Sequence, residues 1–164
     1  VMVRPRPGNF VYSEEELTCM ETEIKSLKKL PITGIVLGVL HDDRSINLEA
    51  TQRLSERADP LPVTFHKAID ETRDPLQEMK KLSRIQNIQS ILSSGGAQNA
   101  ETGAKMLKTM QQEFQSRFRM IAAGSITSEN LLSLHHKIGF PEYHGRKIVG
   151  DLAQSLNPSH NSFQ

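Results

Sequence analysis

Short apolar runs alternate with longer amphipathic stretches along most of the chain. Residues 34–40 form the uninterrupted run G-I-V-L-G-V-L, which is typical of a parallel strand covered on both faces. Further strands are predicted around five other centres, at Val3, Thr64, Ile91, Ile121 and Tyr143. Successive centres lie 33, 28, 27, 30 and 22 residues apart. This regular pitch predicts repeated βαβ units and therefore a parallel sheet.

Helical periodicity and capping residues predict a helix between successive strands. Ser13 precedes three glutamates, an N-cap followed by an acidic first turn, and Pro31 ends that helix. Asp74 followed by Pro75 predicts a second helix start. The remaining predicted helices cover residues 47–58, residues 99–114 and a segment capped by Thr127.

Six strands and five helices fit either a doubly wound sheet or a TIM-type (β/α) barrel. A barrel of eight units takes about 250 residues, or roughly 30 per unit. A chain of 164 residues would then hold about six of the eight strands, and its abrupt start within a strand favours this incomplete barrel. We therefore expect a partial (β/α) barrel over residues 1–146 and a polar, disordered C-terminal tail over residues 147–164.

Composition excludes several classes of partner and site. Twenty basic and nineteen acidic residues give a net charge of +1, which provides no electrostatic argument for binding nucleic acid or an anionic membrane. No apolar run approaches the roughly 20 residues of a membrane span. The single cysteine, Cys19, excludes an intrachain disulfide and a cysteine-rich zinc site. It favours a reducing compartment, and we expect a cytoplasmic protein, with the nucleus as an additional location.

Candidate site residues lie where the predicted strands end, because the loops that leave parallel strands converge on one face. These residues are Arg4, Arg6, His66, Asp70, Ser94, Gly95, Gly96, Gly124 and His144. The arginines suit a carboxylate or a phosphate, and the glycine loops could present backbone N–H groups to an anion. The histidines at the ends of two strands are candidate metal ligands, since imidazole binds copper and zinc. The alternatives are salt-bridging arginines, turn glycines and a core histidine.

The stretch P-V-T-F-H-K-A-I-D, residues 62–70, is the centre of this arrangement. A strand is predicted to end at His66, followed by a short loop to Asp70. Alternation places Thr64 and His66 on one face, so His66 faces either a site or a packed interior. General acid–base chemistry by His66 with Asp70 is conceivable, but a four-residue spacing across a loop does not define their geometry.

Four motifs together resemble the CutC copper-homeostasis family. They are R-P-R-P-G-N-F-V-Y-S at 4–13, P-V-T-F-H-K-A-I-D at 62–70, T-R-D-P-L-Q at 72–77 and S-S-G-G at 93–96. The resemblance runs from residue 1 to about residue 146. It implies a TIM-type barrel, a cytosolic protein and a role in copper binding, distribution or tolerance. The family residues that line the barrel mouth match Arg4, Arg6, His66, Asp70 and His144.

The chain also differs from the family that it resembles, because the family's first two strands and its proposed copper-binding cysteines have no counterpart here.

Three functions remain open. The first is copper homeostasis with Cu(I) bound by histidine, methionine or Cys19. The second is a barrel enzyme that acts on a small anionic substrate, of which phosphorylated compounds are one class. The third is a structural remnant without a ligand, whose open sheet edges favour homo-oligomers.

Overall fold

A five-stranded parallel sheet forms the centre of the protein, for which a computed structural model describes residues 1–149. The strands are β1 (Ile35–Leu37), β2 (Val63–Phe65), β3 (Ile88–Ser93), β4 (Arg119–Ala123) and β5 (Glu142–His144). Each strand pairs in parallel with the next strand along the chain, so their order in the sheet is their order in the sequence.

The sixth strand, predicted around Val3, is reduced to one isolated bridge between Met2 and Val36. Two backbone hydrogen bonds hold it, from Val3 N to Val36 O and from Val36 N to the carbonyl of Val1, both 2.8 Å long. Pro5 has no backbone N–H with which to extend the ladder. The segment nevertheless occupies the place before β1 in the sequential order.

This sequential order separates the two architectures that the sequence left open. A doubly wound sheet reverses its strand order at a switch point, and no such reversal occurs within residues 1–149. The α/β class with parallel strands is confirmed, and the order is consistent with a TIM-type barrel. That the sheet represents an incomplete barrel stays a prediction.

Capping residues predicted the start of three of the five helices correctly, whereas the last helix begins after Asn130 rather than after Thr127. The helices are α1 (Glu14–Leu27), α2 (Leu48–Ala58), α3 (Pro75–Leu82), α4 (Ala104–Phe114) and α5 (Leu131–Ile138). Ser13 and Glu16 form a reciprocal capping box at the start of α1. Helix α4 begins at Ala104 rather than at Asn99, because the Asn99 side chain accepts a hydrogen bond from Thr102 N and closes a turn there.

Burial alternates along the strands and defines two different faces of the sheet. Ile35 and Leu37 are buried, whereas Val36 between them is only half-buried. The same alternation holds in β2, where Thr64 is the half-buried residue. The expectation that the first long apolar run is covered on both faces is therefore wrong at Val36, which faces an open cavity.

Two further predictions concern the chain outside this sheet. Lys147 forms a parallel bridge with Thr127, so the folded part continues past the predicted boundary at residue 146. Residues 150–164, which make up most of the predicted tail, lie outside the described residues. Within residues 1–149, no helix combines the length and the apolar character needed to cross a membrane.

Candidate functional site at the carboxyl ends of the strands

A cavity of about 950 Å³ lies on the open face of the sheet. Its apolar wall contains one half-buried residue from each of four strands: Val36, Thr64, Leu92 and Ile121. Most of its polar groups come from the segments that follow the strands, and three come from β5 itself, namely Glu142, Tyr143 and His144. Five predicted site residues line it, namely Arg4, His66, Asp70, Gly96 and His144. Arg6, Ser94, Gly95 and Gly124 do not line it.

His66 lies between β2 and a 3₁₀ helix, Lys67–Glu71, which forms where the sequence predicted a loop. Its side chain is almost fully buried, with 3% of its surface exposed. The ring packs against Phe10 with the ring centroids 4.6 Å apart. The ring atom Nδ1 accepts a hydrogen bond of 3.2 Å from the backbone N–H of Ala68. This bond makes His66 the N-cap of the short helix.

The protonation state of His66 follows from this environment. Burial, assisted by the positive charge of Arg4, lowers the pKa of His66 from 6.5 to about 4. The ring is therefore neutral at pH 7. Since Nδ1 accepts a hydrogen bond, the single ring proton is on Nε2. That atom is buried and has no hydrogen-bond partner within residues 1–149.

Arg4 shares the surroundings of His66. Its guanidinium lies 4.7 Å from the centroid of the Phe10 ring, a cation–π contact with the same ring that His66 contacts. Its Nη2 donates to the carbonyl of Gly8 at 2.5 Å. Its Nε is buried without a partner among the described residues, and within residues 1–149 Arg4 forms no ion pair.

The side chain of Arg6, in contrast, binds groups in its own loop and at the start of α1. Its Nε lies 2.5 Å from the Glu16 carboxylate, and its Nη2 donates to the carbonyl of Val11 at 2.6 Å. The guanidinium also lies 5.3 Å from the centroid of the Tyr12 ring. The structure therefore places Arg6 in the salt-bridging role that was its alternative, and Arg6 does not line the cavity that Arg4 lines.

The Asp70 carboxylate accepts hydrogen bonds from the glycine loop, which the sequence had indicated as a binding site for a ligand anion. Asp70 accepts hydrogen bonds from Ser94 N at 2.9 Å and from Gly96 N at 2.8 Å. The Ser93 hydroxyl donates to it at 2.5 Å, and Lys67 forms an ion pair with it at 2.7 Å. The remaining loop amide, Gly95 N, donates to Ser93 Oγ. An internal carboxylate thus holds the N–H groups of this loop.

Left-handed backbone explains the two glycines of this loop. Gly95 and Gly96 have φ values of +75° and +66°, a region that disfavours side chains. A β-carbon on Gly95 would also collide with the backbone of Gly103. These glycines therefore let the chain turn tightly around the Asp70 carboxylate.

His144 and Gly124 border a second, smaller cavity of about 480 Å³ between the loops after β4 and β5. His144 is exposed and lines both cavities. Within residues 1–149, no group of three or more His, Cys, Asp or Glu side chains is arranged to hold a metal ion. Cys19 is exposed on α1 and does not line the large cavity.

Three contributors to this site were missed by the sequence reasoning. The Phe10 ring packs against both Arg4 and His66. Lys67 and Ser93 donate hydrogen bonds to the Asp70 carboxylate. All lie within the motifs at 4–13, 62–70 and 93–96. The motifs themselves were therefore the signal, although alternation and spacing alone did not single these residues out.

The sequential parallel sheet, with polar groups gathered where its strands end, defines an α/β protein with the strand order of a (β/α) barrel. A family model described as CutC family matches residues 1–149. The chain belongs to the CutC family, which confirms the resemblance seen in its motifs.

Individual relatives support this assignment. A CutC family protein from Mesorhizobium japonicum is 35% identical over 144 residues, which cover 88% of this chain and 55% of that protein. The human copper homeostasis protein cutC homolog is 33% identical, covering 88% of this chain and 52% of its own length. The chain therefore spans about half the length of these relatives.

A solved structure agrees with the fold. The crystal structure of CutC from Streptococcus agalactiae superposes with a TM-score of 0.85 at 30% sequence identity. The match covers 90% of this chain and 72% of that one. The sheet and its helices are therefore those of a CutC structure.

Proposed function

We propose that this protein acts in copper homeostasis by binding copper ions. Family membership over residues 1–149 carries the proposal. The human and mouse relatives are each named copper homeostasis protein cutC homolog. In this proposal copper is the cargo of the protein.

The described residues narrow the choice of copper ligands. Cu(I) prefers thiolate, thioether and imidazole ligands. His66 is poorly suited, because its proton is on Nε2 and its Nδ1 accepts the Ala68 N–H. Met2 is 51% exposed and lines the large cavity, as does His144. These two side chains are our proposed ligands within this part of the chain.

Competition with a chromogenic Cu(I) chelator tests this proposal on the 164-residue chain. We expect stoichiometric binding that weakens at least about tenfold in Met2→Leu and His144→Ala, because even the loss of a group that supports a ligand costs about 10–100-fold in metal affinity. His136→Ala, an exposed histidine on α5, is the matched control and should bind as the parent does. A folded chain that binds no Cu(I) would overturn the proposal for this chain.

A second candidate function, the binding of a small anion in the large cavity, is supported by Arg4. This guanidinium forms no ion pair within residues 1–149 and lies beside a neutral His66. Arg4→Met should abolish any rise in melting temperature that small anions produce. Arg84→Met, an exposed arginine away from this cavity, is its control.

Location and assembly also stay proposals. We infer a cytoplasmic location from the single cysteine, with the nucleus as an additional location. We infer self-association from the open sheet edges at Met2 and at β5. Light scattering across a hundredfold range of concentration tests the second point, and a constant monomer mass would contradict it.

A further inference from the structure

We propose that the large cavity binds a monocarboxylate with an apolar body, and that one carboxylate oxygen accepts the Nε2–H of His66. The inference rests on the proposed anion site at Arg4 and specifies its ligand. Inorganic phosphate and a metal ion at His66 are the alternatives that it excludes.

The first step is the unpartnered proton of His66. A buried polar hydrogen without an acceptor is costly and rare in folded proteins. His66 is 3% exposed, lines the cavity, and its Nε2 has no acceptor within residues 1–149. An oxygen atom of a ligand would supply the missing acceptor.

The tautomer decides what His66 can bind. The Ala68 N–H already points at Nδ1. A metal at Nε2 would force the ring proton onto Nδ1, where two N–H groups would then face each other. A hydrogen-bond acceptor at Nε2 requires no such change. The ring is therefore positioned to donate to an oxygen rather than to coordinate an ion.

The charges around the cavity favour a single negative charge. Its side-chain cations are Arg4 and Lys67, and its carboxylates are Asp70, Glu71 and Glu142. Lys67 is paired with Asp70, which leaves Arg4 to face a ligand. One guanidinium matches the two oxygens of a carboxylate. Inorganic phosphate carries on average more than one negative charge at neutral pH. Asp70 and Glu142 are paired with Lys67 and Arg119, so among the described residues Glu71 is the cavity carboxylate left to repel it.

The wall of the cavity indicates the rest of the ligand. Val36, Leu92 and Ile121 present apolar side chains that are only half-buried. An alkyl or aryl group placed against them would gain stability from the burial of apolar surface. A carboxylate held at Arg4 and His66 would direct its apolar body along this wall.

Hexanoate, acetate, hexanol and inorganic phosphate are suitable probes for the 164-residue chain. We expect hexanoate to raise the melting temperature. Acetate and hexanol should need at least tenfold higher concentrations to give the same rise. Phosphate should give no rise below about ten times the effective hexanoate concentration. His66→Phe keeps an aromatic ring without the donor and should lose at least tenfold in hexanoate affinity. His66→Gln keeps a donor and should recover part of the loss, while His136→Phe is the control.

Nitrogen NMR of the histidine rings keeps the test decisive if the substitutions unfold the chain. We expect the His66 proton on Nε2 in the unliganded protein and a shift of that signal on addition of hexanoate. A proton on Nδ1, or a hexanoate affinity indifferent to His66→Phe, would overturn the inference. Phosphate binding as tightly as hexanoate would overturn the ligand class but leave an anion site at Arg4. Failure of every anion would overturn both proposals.

Discussion

Gly38 lies so close to His66 that a β-carbon at position 38 would come within 2.6 Å of the ring atoms Cε1 and Nδ1. Real β-carbons do not approach other atoms so closely, and the Cβ of Ala68 would be only 3.1 Å away. The glycine after β1 therefore provides the space in which the ring accepts the Ala68 N–H. This close approach joins Gly38 to a second part of the sequence, the segment that contains His66 and Ala68.

Gly38→Ala should destabilise the protein by about 1–3 kcal/mol, the usual cost of overpacking a well-packed interior. The ring must move away from residue 38, and the hydrogen bond to Ala68 is lost with it. Urea unfolding of the single variants and of Gly38→Ala/His66→Ala measures the coupling. The alanine at 38 should cost much less once the ring is absent. Additive effects would contradict a clash between these two residues.

Stability should fall as the pH drops from 6.5 towards 4, because His66 is neutral in the folded protein. Its pKa is about 4 when folded and near 6.5 when unfolded. The unfolded chain therefore binds more protons in this window, and stability rises with pH across it. Between pH 7.5 and pH 5 we expect a loss of about 2 kcal/mol.

Urea unfolding at these two pH values checks the prediction. His66→Gln should flatten the part of the pH dependence that this ring supplies, while His136→Gln, an exposed histidine, should leave the dependence unchanged. An equally steep profile in His66→Gln would show that other groups cause the loss.

Asp70→Ala should destabilise the protein by about 3 kcal/mol, because it leaves several donors without their acceptor. The amides of Ser94 and Gly96, the Ser93 hydroxyl and Lys67 all lose the same carboxylate. The vacated space matches a small carboxylate, so formate or acetate at high concentration should restore part of the stability.

Thermal unfolding with and without formate provides the measurement. Asp43→Ala is the control, since that exposed aspartate bonds only to Ser45 among the described residues. It should cause little change and show no recovery with formate. Recovery of equal size in both variants would indicate a general salt effect.

Arg4→Met should weaken ligand binding, whereas Arg6→Met should lower the stability of the fold. Arg6 forms an ion pair with Glu16 and donates to the Val11 carbonyl, so its loss should lower the midpoint of urea unfolding. The same variant should leave hexanoate affinity unchanged, because Arg6 does not line the cavity. Arg4→Met should remove hexanoate binding. Loss of binding in Arg6→Met, with the fold intact, would contradict this division.

Local signals in the sequence predicted the parts of the fold that depend on neighbouring residues. The Ser13 cap needs only Glu16, three residues away, and the alternation of Thr64 and His66 needs only the strand itself. The four motifs also identified the family correctly. These features are read from short stretches without knowledge of the tertiary structure.

The candidate site was less predictable, because its roles depend on contacts between distant segments. Spacing could not reveal that Asp70 lies against residues 93–96, or that the Phe10 ring contacts both Arg4 and His66. The true start of α4 at Ala104 likewise depends on a turn at Asn99 that competes with the helix. Five of the nine candidate residues line the large cavity, but spacing did not identify the partners of their side chains.

The sequential strand order has a consequence for how the chain can fold during synthesis. Ile35 pairs with Val63, and Val63 pairs with Ile88, so each strand finds its partner within the next unit to leave the ribosome. No described strand is later inserted between two that already pair. Loops of this length close at modest entropic cost. The sheet can therefore grow vectorially, one unit at a time, with each completed unit acting as the template for the next.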